Sequence, residues 1–192
     1  MTKKLYLMRH GQTLFNKLDK IQGACDSPLT AKGIEDAKVV GEFFKEQNLK
    51  FDKFYSSTQE RASDTLELIT DQPYERLKGI KEWNFGIFEG ESEALIPDNY
   101  FSQDSYGDFF VDYDGEAFQA VKDRVAKTLT DIMEQANDGE SVFTVSHGAA
   151  ILLFLQTLLP MKVIEEKVSL HNCAVMELTF DDGEFKFEEQ IR

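Results

Sequence analysis

The sequence contains few of the residues that build disulfide-bonded or membrane-spanning proteins. Its 192 residues include only two cysteines, Cys25 and Cys173, too few for a disulfide framework, which favours a cytoplasmic protein with free thiols. The longest apolar run, at residues 149–160, is much shorter than the roughly 20 residues that a membrane span needs. The apolar run before Arg9 is too short for the core of a signal peptide.

Positive charge is also scarce. The chain has 21 Lys and Arg against 35 Asp and Glu, which gives a formal net charge of −14. Nonspecific binding to nucleic acid or to an anionic membrane requires a positive face, so we expect neither partner. A protein of this composition that binds phosphate must build its positive potential locally.

The remaining composition is that of a globular protein. Apolar residues make up 42% of the chain and aromatic residues 12%, including 16 Phe. With only four prolines, no low-complexity tract and no internal repeat, the chain shows no linker. We therefore predict a single domain over residues 1–192.

Hydrophobic patterning predicts strands that alternate with helices. Strands are expected at residues 4–8, 51–56, 74–80 and 141–146, and a C-terminal hairpin over 173–190 with its turn at Asp181-Asp182-Gly183. Helices are expected from Thr30 over about 17 residues and at 58–69, 116–136 and 149–159. This order predicts an α/β fold, a three-layer sandwich with a mostly parallel sheet flanked by helices.

Ligands of such sheets lie outside the carboxyl ends of the strands, where this chain carries Arg9, His10, Arg61 and His147. Arginine forks match phosphate oxygens, and positive charge beside a histidine disfavours its imidazolium form. Neutral imidazole is a nucleophile, so His10 is a candidate to attack phosphorus. Glu82 lies among apolar residues that would favour its protonated form, as a proton donor to the leaving group requires.

The ordered motifs resemble those of the histidine phosphatase superfamily, the phosphoglycerate mutase-like proteins. The resemblance runs through nearly the whole chain, at Leu7–Asn16, Gln22-Gly23, Asp26–Thr30, Gly33, Tyr55–Ala62, Thr65, Glu82–Gly90, Gly115-Glu116, Arg124 and Ser146-His147-Gly148. Each motif is short, and the ordered set carries the resemblance.

The resemblance implies a role for each matching residue. His10 would be the phosphorylated nucleophile, Glu82 the proton donor and then the base that activates water. The remaining catalytic or phosphate-binding residues would be Arg9, Arg61, His147, Gly148, Asn16 and, near the substrate, Gln22 and Gly23. It also implies that no metal or other cofactor is needed, consistent with a sequence that has no HExxH motif.

Residues 91–115 form a cap-like insertion that favours a phosphatase over a mutase. The segment has no Lys or Arg and would repel the carboxylate of phosphoglycerate. Its seven acidic residues are Glu91, Glu93, Asp98, Asp104, Asp108, Asp112 and Asp114, and its six aromatic residues are Tyr100, Phe101, Tyr106, Phe109, Phe110 and Tyr113. These aromatic residues suggest a leaving group with an apolar or cationic part.

We therefore expect a phosphatase that hydrolyses a small phosphomonoester. Two alternatives stay open: a phosphoglycerate mutase, and a non-catalytic relative that senses phosphate or binds a protein partner. A homodimer is possible through an edge strand or the hairpin. Among the other polar residues, Arg124 is expected to be solvated or ion-paired, His171 structural or exposed, and Cys25 an inert thiol near the site.

Overall fold

The structure is a computed structural model that describes residues 2–96 and 107–192. Its strands are β1 Lys3–Arg9, β2 Lys53–Ser57, β3 Glu75–Leu77, β4 Ser141–Ser146, β5 Val175–Asp181 and β6 Glu184–Gln190. They form one sheet in the order β3-β2-β4-β1-β5-β6. The first four strands pair in parallel, and β5 and β6 form the predicted antiparallel hairpin beside β1.

Helices cover both faces of this sheet. They are α1 Leu14–Lys17, α2 Ala31–Glu46, α3 Glu60–Glu67, α4 Phe118–Glu134, α5 Gly148–Leu155 and α6 Met161–Lys167. The side chain of Thr30 accepts a hydrogen bond from the Gly33 N–H, so Thr30 is the N-cap of α2, as predicted. No helix in the described ranges is both long enough and apolar enough to cross a membrane.

The side chains of β1 point alternately into the two hydrophobic cores, one on each face of the sheet. Leu5 and Leu7 belong to the core that packs against α4 and α5, whereas Tyr6 and Met8 belong to the core beneath α2 and α3. Successive side chains of a strand point to opposite faces, so one buried strand supplies both cores. This arrangement confirms the predicted three-layer α/β fold.

Some boundaries differ from the prediction. The strand predicted at 74–80 has three residues, because residues 78–80 turn into a 3-10 helix that buries Ile80. Phe51 precedes β2 and packs against Phe44 and Phe143, with ring centroids 5.0 and 5.1 Å away. Helix α6, which was not predicted, begins directly after Pro160, a residue whose fixed φ suits the start of a helix.

The described part of the cap-like segment is anchored by its aromatic side chains. A 3-10 helix at Phe109–Tyr113 buries Phe110, whose ring lies 4.9 Å from that of Phe85 and 5.6 Å from that of Trp83. Phe109 packs against Phe88, with ring centroids 5.6 Å apart. These phenylalanines hold the segment to the 83–88 loop rather than lining a substrate pocket. Of the acidic and aromatic residues named for this segment, those at 98–106 lie outside the described residues.

Candidate active site

The parallel sheet brings four predicted side chains to one edge. Arg9 ends β1 and His10 follows it, His147 follows β4, and Arg61 lies in the first turn of α3 after β2. The side chains of His10, Arg61 and His147 are buried, and the two imidazole centroids are 5.2 Å apart. The strand-end rule thus places these residues together, as the sequence predicts.

His10 is held as a neutral imidazole whose Nε2 faces Arg61. Its Nδ1 lies 2.8 Å from the Gly11 carbonyl oxygen, which can only accept, so Nδ1 carries the proton. Nε2 then carries a lone pair, which accepts a 3.2 Å hydrogen bond from the Nε–H of Arg61. Burial, reinforced by the charges of Arg61 and Arg9, lowers the pKa of His10 well below its ordinary value. The unprotonated form that a nucleophile requires is therefore the stable one.

The Arg61 guanidinium is fixed by the loop at residues 22–26. It donates 2.9 Å hydrogen bonds to the carbonyl oxygens of Gly23 and Cys25, and its Nη1 lies 3.0 Å from a carboxylate oxygen of Asp26. The Arg61 side chain is fully buried, whereas that of Asp26 is partly exposed. Arg61 is thus oriented from one side by the loop while its Nε faces His10.

Three buried nitrogens around this point have no hydrogen-bond partner among the described residues: Nε of Arg9, Nδ1 of His147 and Nε2 of Gln22. In two of these side chains the other polar atom is already hydrogen-bonded. His147 Nε2 lies 2.6 Å from the Ser57 hydroxyl, and the Gln22 side-chain oxygen accepts a hydrogen bond from the Thr13 hydroxyl. Burying an unpaired donor costs about 1–3 kcal/mol. Three such atoms beside a neutral histidine indicate a site for an oxygen-rich ligand.

Burial, with the positive charge of Arg61 as the next contribution, lowers the pKa of His147 well below its ordinary value. When Nε2 of a neutral His147 accepts a hydrogen bond from the Ser57 hydroxyl, the ring carries its own proton on Nδ1. That Nδ1–H can donate to a ligand oxygen. His147 is therefore suited to hold a phosphoryl oxygen as a neutral hydrogen-bond donor.

Glu82 lies across the site, with backbone N–H groups as its closest partners. Its Oε1 accepts from the N–H groups of Trp83 at 2.9 Å and Ala150 at 2.8 Å, and its Oε2 accepts from Ala149 N–H at 3.0 Å. The apolar neighbours Trp83 and Phe85 are present, and the N-terminus of α5 adds polar donors that the sequence did not indicate. Oε2 therefore accepts one backbone hydrogen bond, whereas Oε1 accepts two.

A cavity of about 320 Å³ opens at this edge of the sheet. Of the predicted residues, it is lined by Arg9, His10, Asn16, Gln22, Glu82 and Gly148. The rest of its wall includes Lys20, Glu93 and the apolar side chains of Ile21, Phe85, Ile96, Leu152 and Leu170. In the described part of the chain, no group of three or more His, Cys, Asp or Glu side chains is arranged to hold a metal ion.

Comparison with known proteins decides the family. The family model described as the histidine phosphatase superfamily (branch 1) matches residues 5–191. The chain belongs to this superfamily. Its members are phosphatases or mutases.

Relatives of this chain include proteins named as mutases and proteins named as phosphatases. A Citrobacter koseri protein named probable phosphoglycerate mutase GpmB is 30% identical over 190 residues, covering 94% of this chain and 86% of the relative. A phosphoglycerate mutase structure from Bacillus anthracis superposes with a TM-score of 0.87 at 28% identity, covering 98% and 92% of the two chains. A phosphoserine phosphatase structure from Entamoeba histolytica, solved with 3-phosphoglyceric acid, superposes with a TM-score of 0.80 at 32% identity, covering 98% of this chain and 96% of the other.

The predicted residues Asn16, Gly148 and Gly23 of this superfamily member differ in what they contact. The Asn16 oxygen accepts from Thr13 N–H and from the Asn172 side chain, both at 3.1 Å, so the Asn16 amide nitrogen is the atom left to bind a ligand. A Cβ on Gly148 would lie 3.3 Å from the Arg9 guanidinium, so glycine lets Arg9 approach helix α5. Among the predicted residues, Gly23, Arg61 and His147 are not part of the cavity wall, and the Gly23 N–H is bonded to Glu89.

Two polar residues near the site were not assigned a role from the sequence. The Gln59 amide nitrogen donates to the Gly23 carbonyl, and its oxygen accepts from Glu82 N–H at 2.9 Å, so Gln59 connects the Arg61 loop to Glu82. Glu89 accepts from four backbone N–H groups. Both are polar residues within matching motifs, but only the folded backbone shows what they bind.

Arg124 is ion-paired, in agreement with the prediction. It makes a bidentate pair with Glu116, with both distances 2.9 Å, and donates to the carbonyl oxygens of Gly79, Lys81 and Glu82. It thus braces the loop that carries Glu82. His171 is exposed, with Nδ1 2.9 Å from the Asn172 carbonyl.

Cys25 lies beside the loop that holds Arg61. Burial, together with the nearby Glu89 carboxylate, raises the pKa of the Cys25 thiol to about 12. The thiolate, the reactive form of cysteine, is therefore strongly disfavoured at neutral pH. This is the behaviour of the inert thiol that the sequence predicts.

Proposed function

We propose that the protein is a phosphomonoester hydrolase that works through a phosphohistidine at His10 and needs no metal ion. The observation that carries the proposal is the arrangement of a neutral His10, with Nε2 facing Arg61, among three buried nitrogens that have no described partner. A phosphoryl group has the oxygens that these nitrogens and the two arginines would bind. The positive charge that the reaction requires then comes from Arg9 and Arg61.

The first step transfers the phosphoryl group to the enzyme. The lone pair on His10 Nε2 forms the N–P bond while the P–O bond to the leaving group breaks, and Glu82 gives its proton to the leaving oxygen. In the second step, the Glu82 carboxylate takes a proton from water as the water oxygen attacks phosphorus and the N–P bond breaks. Inorganic phosphate leaves, and both His10 and Glu82 return to their starting protonation states.

The substrate that we propose is a small phosphorylated metabolite. The cavity of about 320 Å³ accommodates a compact leaving group, and much of its wall beyond the phosphate-binding residues is apolar. Glu93 adds a negative charge to the same wall, which disfavours substrates with several further negative charges. A phosphomonoester whose alcohol part is uncharged or zwitterionic fits this wall best.

Substitution of the nucleophile tests this proposal. His10→Ala should lower kcat/KM on an aryl phosphate by at least about 10³-fold and abolish the acid-labile phosphoenzyme formed from labelled substrate. The exposed His171→Ala is the matched control and should behave as the unmodified protein. Activity should also survive a metal chelator. Full activity in His10→Ala would refute the nucleophile assignment, and a pure phosphate binder would show no turnover in any form.

A phosphoglycerate mutase is the second candidate, favoured by one observation. Lys20 lies in the cavity wall, where its ammonium group also donates to the Gly90 carbonyl at 2.9 Å, and it could meet a substrate carboxylate. Relatives named as mutases point in the same direction. Interconversion of phosphoglycerate isomers in the presence of a bisphosphoglycerate primer would support this alternative. Hydrolysis without isomerisation would exclude it.

A further inference from the structure

The peptide loop at residues 23–25 lies between two opposite charges. On one side, the Glu89 carboxylate accepts hydrogen bonds from three successive N–H groups, those of Gly23 at 3.0 Å, Ala24 at 2.7 Å and Cys25 at 2.9 Å. Phe85 N–H adds a fourth bond to the same carboxylate, also at 2.9 Å. A cluster of successive N–H groups forms a concave site for an anion, which here is a side chain of the protein itself.

The opposite side of the same loop faces Arg61. The Gly23 and Cys25 carbonyl oxygens each accept from the Arg61 guanidinium at 2.9 Å. Gly23 and Cys25 are thus bonded through N–H to a carboxylate and through C=O to a guanidinium. Charge-assisted hydrogen bonds at both ends fix the tilt of these residues more firmly than bonds between neutral groups.

Glycine at position 23 makes this close approach possible. A Cβ there would collide with the Trp83 carbonyl oxygen, the Glu89 carboxylate and the Phe85 ring. The loop is therefore pressed against Glu89 and cannot move toward it. Loss of the carboxylate would leave the N–H side of Gly23 and Cys25 unheld, and the carbonyl groups of the same two residues hold Arg61.

We propose that Glu89 is a positioning residue, which holds loop 23–25 so that its carbonyl oxygens aim the Nε of Arg61 at Nε2 of His10, the atom that would bind phosphorus. The inference rests on the phosphate site of the proposed function. Glu89 does not act on the substrate directly, because each of its two carboxylate oxygens already accepts two backbone N–H groups. Its effect reaches the reaction through Arg61, whose Nε lies 3.2 Å from Nε2 of His10.

Binding of inorganic phosphate tests the proposal separately from turnover. Glu89→Gln removes the charge and places an N–H₂ group against N–H donors, so its dissociation constant for phosphate should rise at least about tenfold. The matched control is Glu91→Gln, which removes an equal charge from an exposed residue and should leave the constant within about twofold. Equal constants for the two variants would overturn the inference. If the protein hydrolyses no phosphomonoester, the proposed function fails, but the two dissociation constants for phosphate still test whether Glu89 positions the site.

A double-mutant cycle distinguishes positioning from a general loss of structure. If Glu89 acts through Arg61, Glu89→Gln should weaken phosphate binding by less than about threefold in an Arg61→Lys background, where the guanidinium fork is already absent. The same factor in both backgrounds would overturn the proposed route. If Glu89→Gln does not fold, Glu89→Asp serves instead, because it keeps the charge but reaches fewer of the four N–H groups. We expect an intermediate loss of phosphate affinity, and wild-type affinity in Glu89→Asp would refute the inference.

Discussion

Substitution of Glu82 by glutamine should slow the hydrolysis of alkyl phosphates far more than that of aryl phosphates. An alkoxide is a poor leaving group that needs a proton as the P–O bond breaks, whereas an activated phenolate leaves almost unaided. A general acid typically contributes about 10²–10⁴ in rate, equivalent to about 2.7–5.4 kcal/mol at 1.36 kcal/mol per tenfold. We therefore expect kcat/KM to fall by this factor for an alkyl phosphate and by less than about tenfold for an aryl phosphate.

The contacts of Glu82 set the size of the structural side effect. A glutamine oxygen could keep the Oε1 bonds from Trp83 and Ala150, but its N–H₂ group would then face the Ala149 N–H. One mismatched donor costs about 1–3 kcal/mol of stability. Urea denaturation of the variant should show this loss, and the aryl phosphate assay on the same preparation corrects the rates for any inactive fraction.

The choice of kcat/KM isolates the step in which Glu82 acts as an acid. This ratio reports the steps through formation of the phosphoenzyme, whereas kcat also contains its later hydrolysis, in which Glu82 would act as a base. Glu91→Gln, which removes an exposed carboxylate, is the control and should change neither substrate's kcat/KM. An equal loss on alkyl and aryl phosphates in Glu82→Gln would refute the assignment of Glu82 as the proton donor.

Three further changes test how the site is built. The pKa values of His10 and His147 are lowered, mainly by burial, so the unfolded chain binds two protons that the folded protein does not as pH falls below about 6.5. The free energy of unfolding in urea should then fall by up to about 2.7 kcal/mol per pH unit toward the lowered folded pKa values, and an unchanged slope in His10→Gln would contradict this. Arg124→Met should lower the free energy of unfolding by about 2–4 kcal/mol, because it removes the hydrogen bonds to the loop that carries Glu82. The exposed Lys127→Ala should lower it by about 0.5 kcal/mol or less, and equal losses would refute the bracing role. Gly23→Ala should cost about 1–3 kcal/mol by the same measurement, because its Cβ meets backbone and side-chain atoms, and wild-type stability would show that the loop is not tightly packed.

The part of the site that could be predicted from the sequence is the part fixed by the sheet. Arg9, His10 and His147 follow buried apolar strands, and the carboxyl ends of parallel strands meet at one edge. Hydrophobic patterning finds such strands because burial on both faces gives a continuous apolar run. The type of residue then indicates the chemistry, since arginine and neutral histidine together suit phosphate.

The loop contacts that orient these residues could not be predicted in the same way. Glu89 accepts hydrogen bonds from a loop that is distant in sequence, with Gly23 66 positions away. These bonds depend on which backbone N–H groups of the loop face the carboxylate. No side-chain periodicity encodes that direction. Composition was also misleading for Phe110, since an aromatic residue in a cap-like segment looks like a substrate contact until its packing on Trp83 and Phe85 is seen. Both outcomes depend on tertiary contacts that local pattern does not contain.

The acidity of the chain and its phosphate site are compatible because carboxylates themselves position the site's arginine. Arg61 is paired with Asp26 and is held through loop 23–25, which Glu89 fixes from the other side. The surface charge that produces the net −14 acts through solvent, where salt screens it over about 8–10 Å, whereas the buried contacts to Arg61 are little screened. Phosphate affinity should therefore follow the geometry of a few buried donors rather than net charge. A protein can then carry an acidic surface that turns away polyanions and still bind one phosphoryl group.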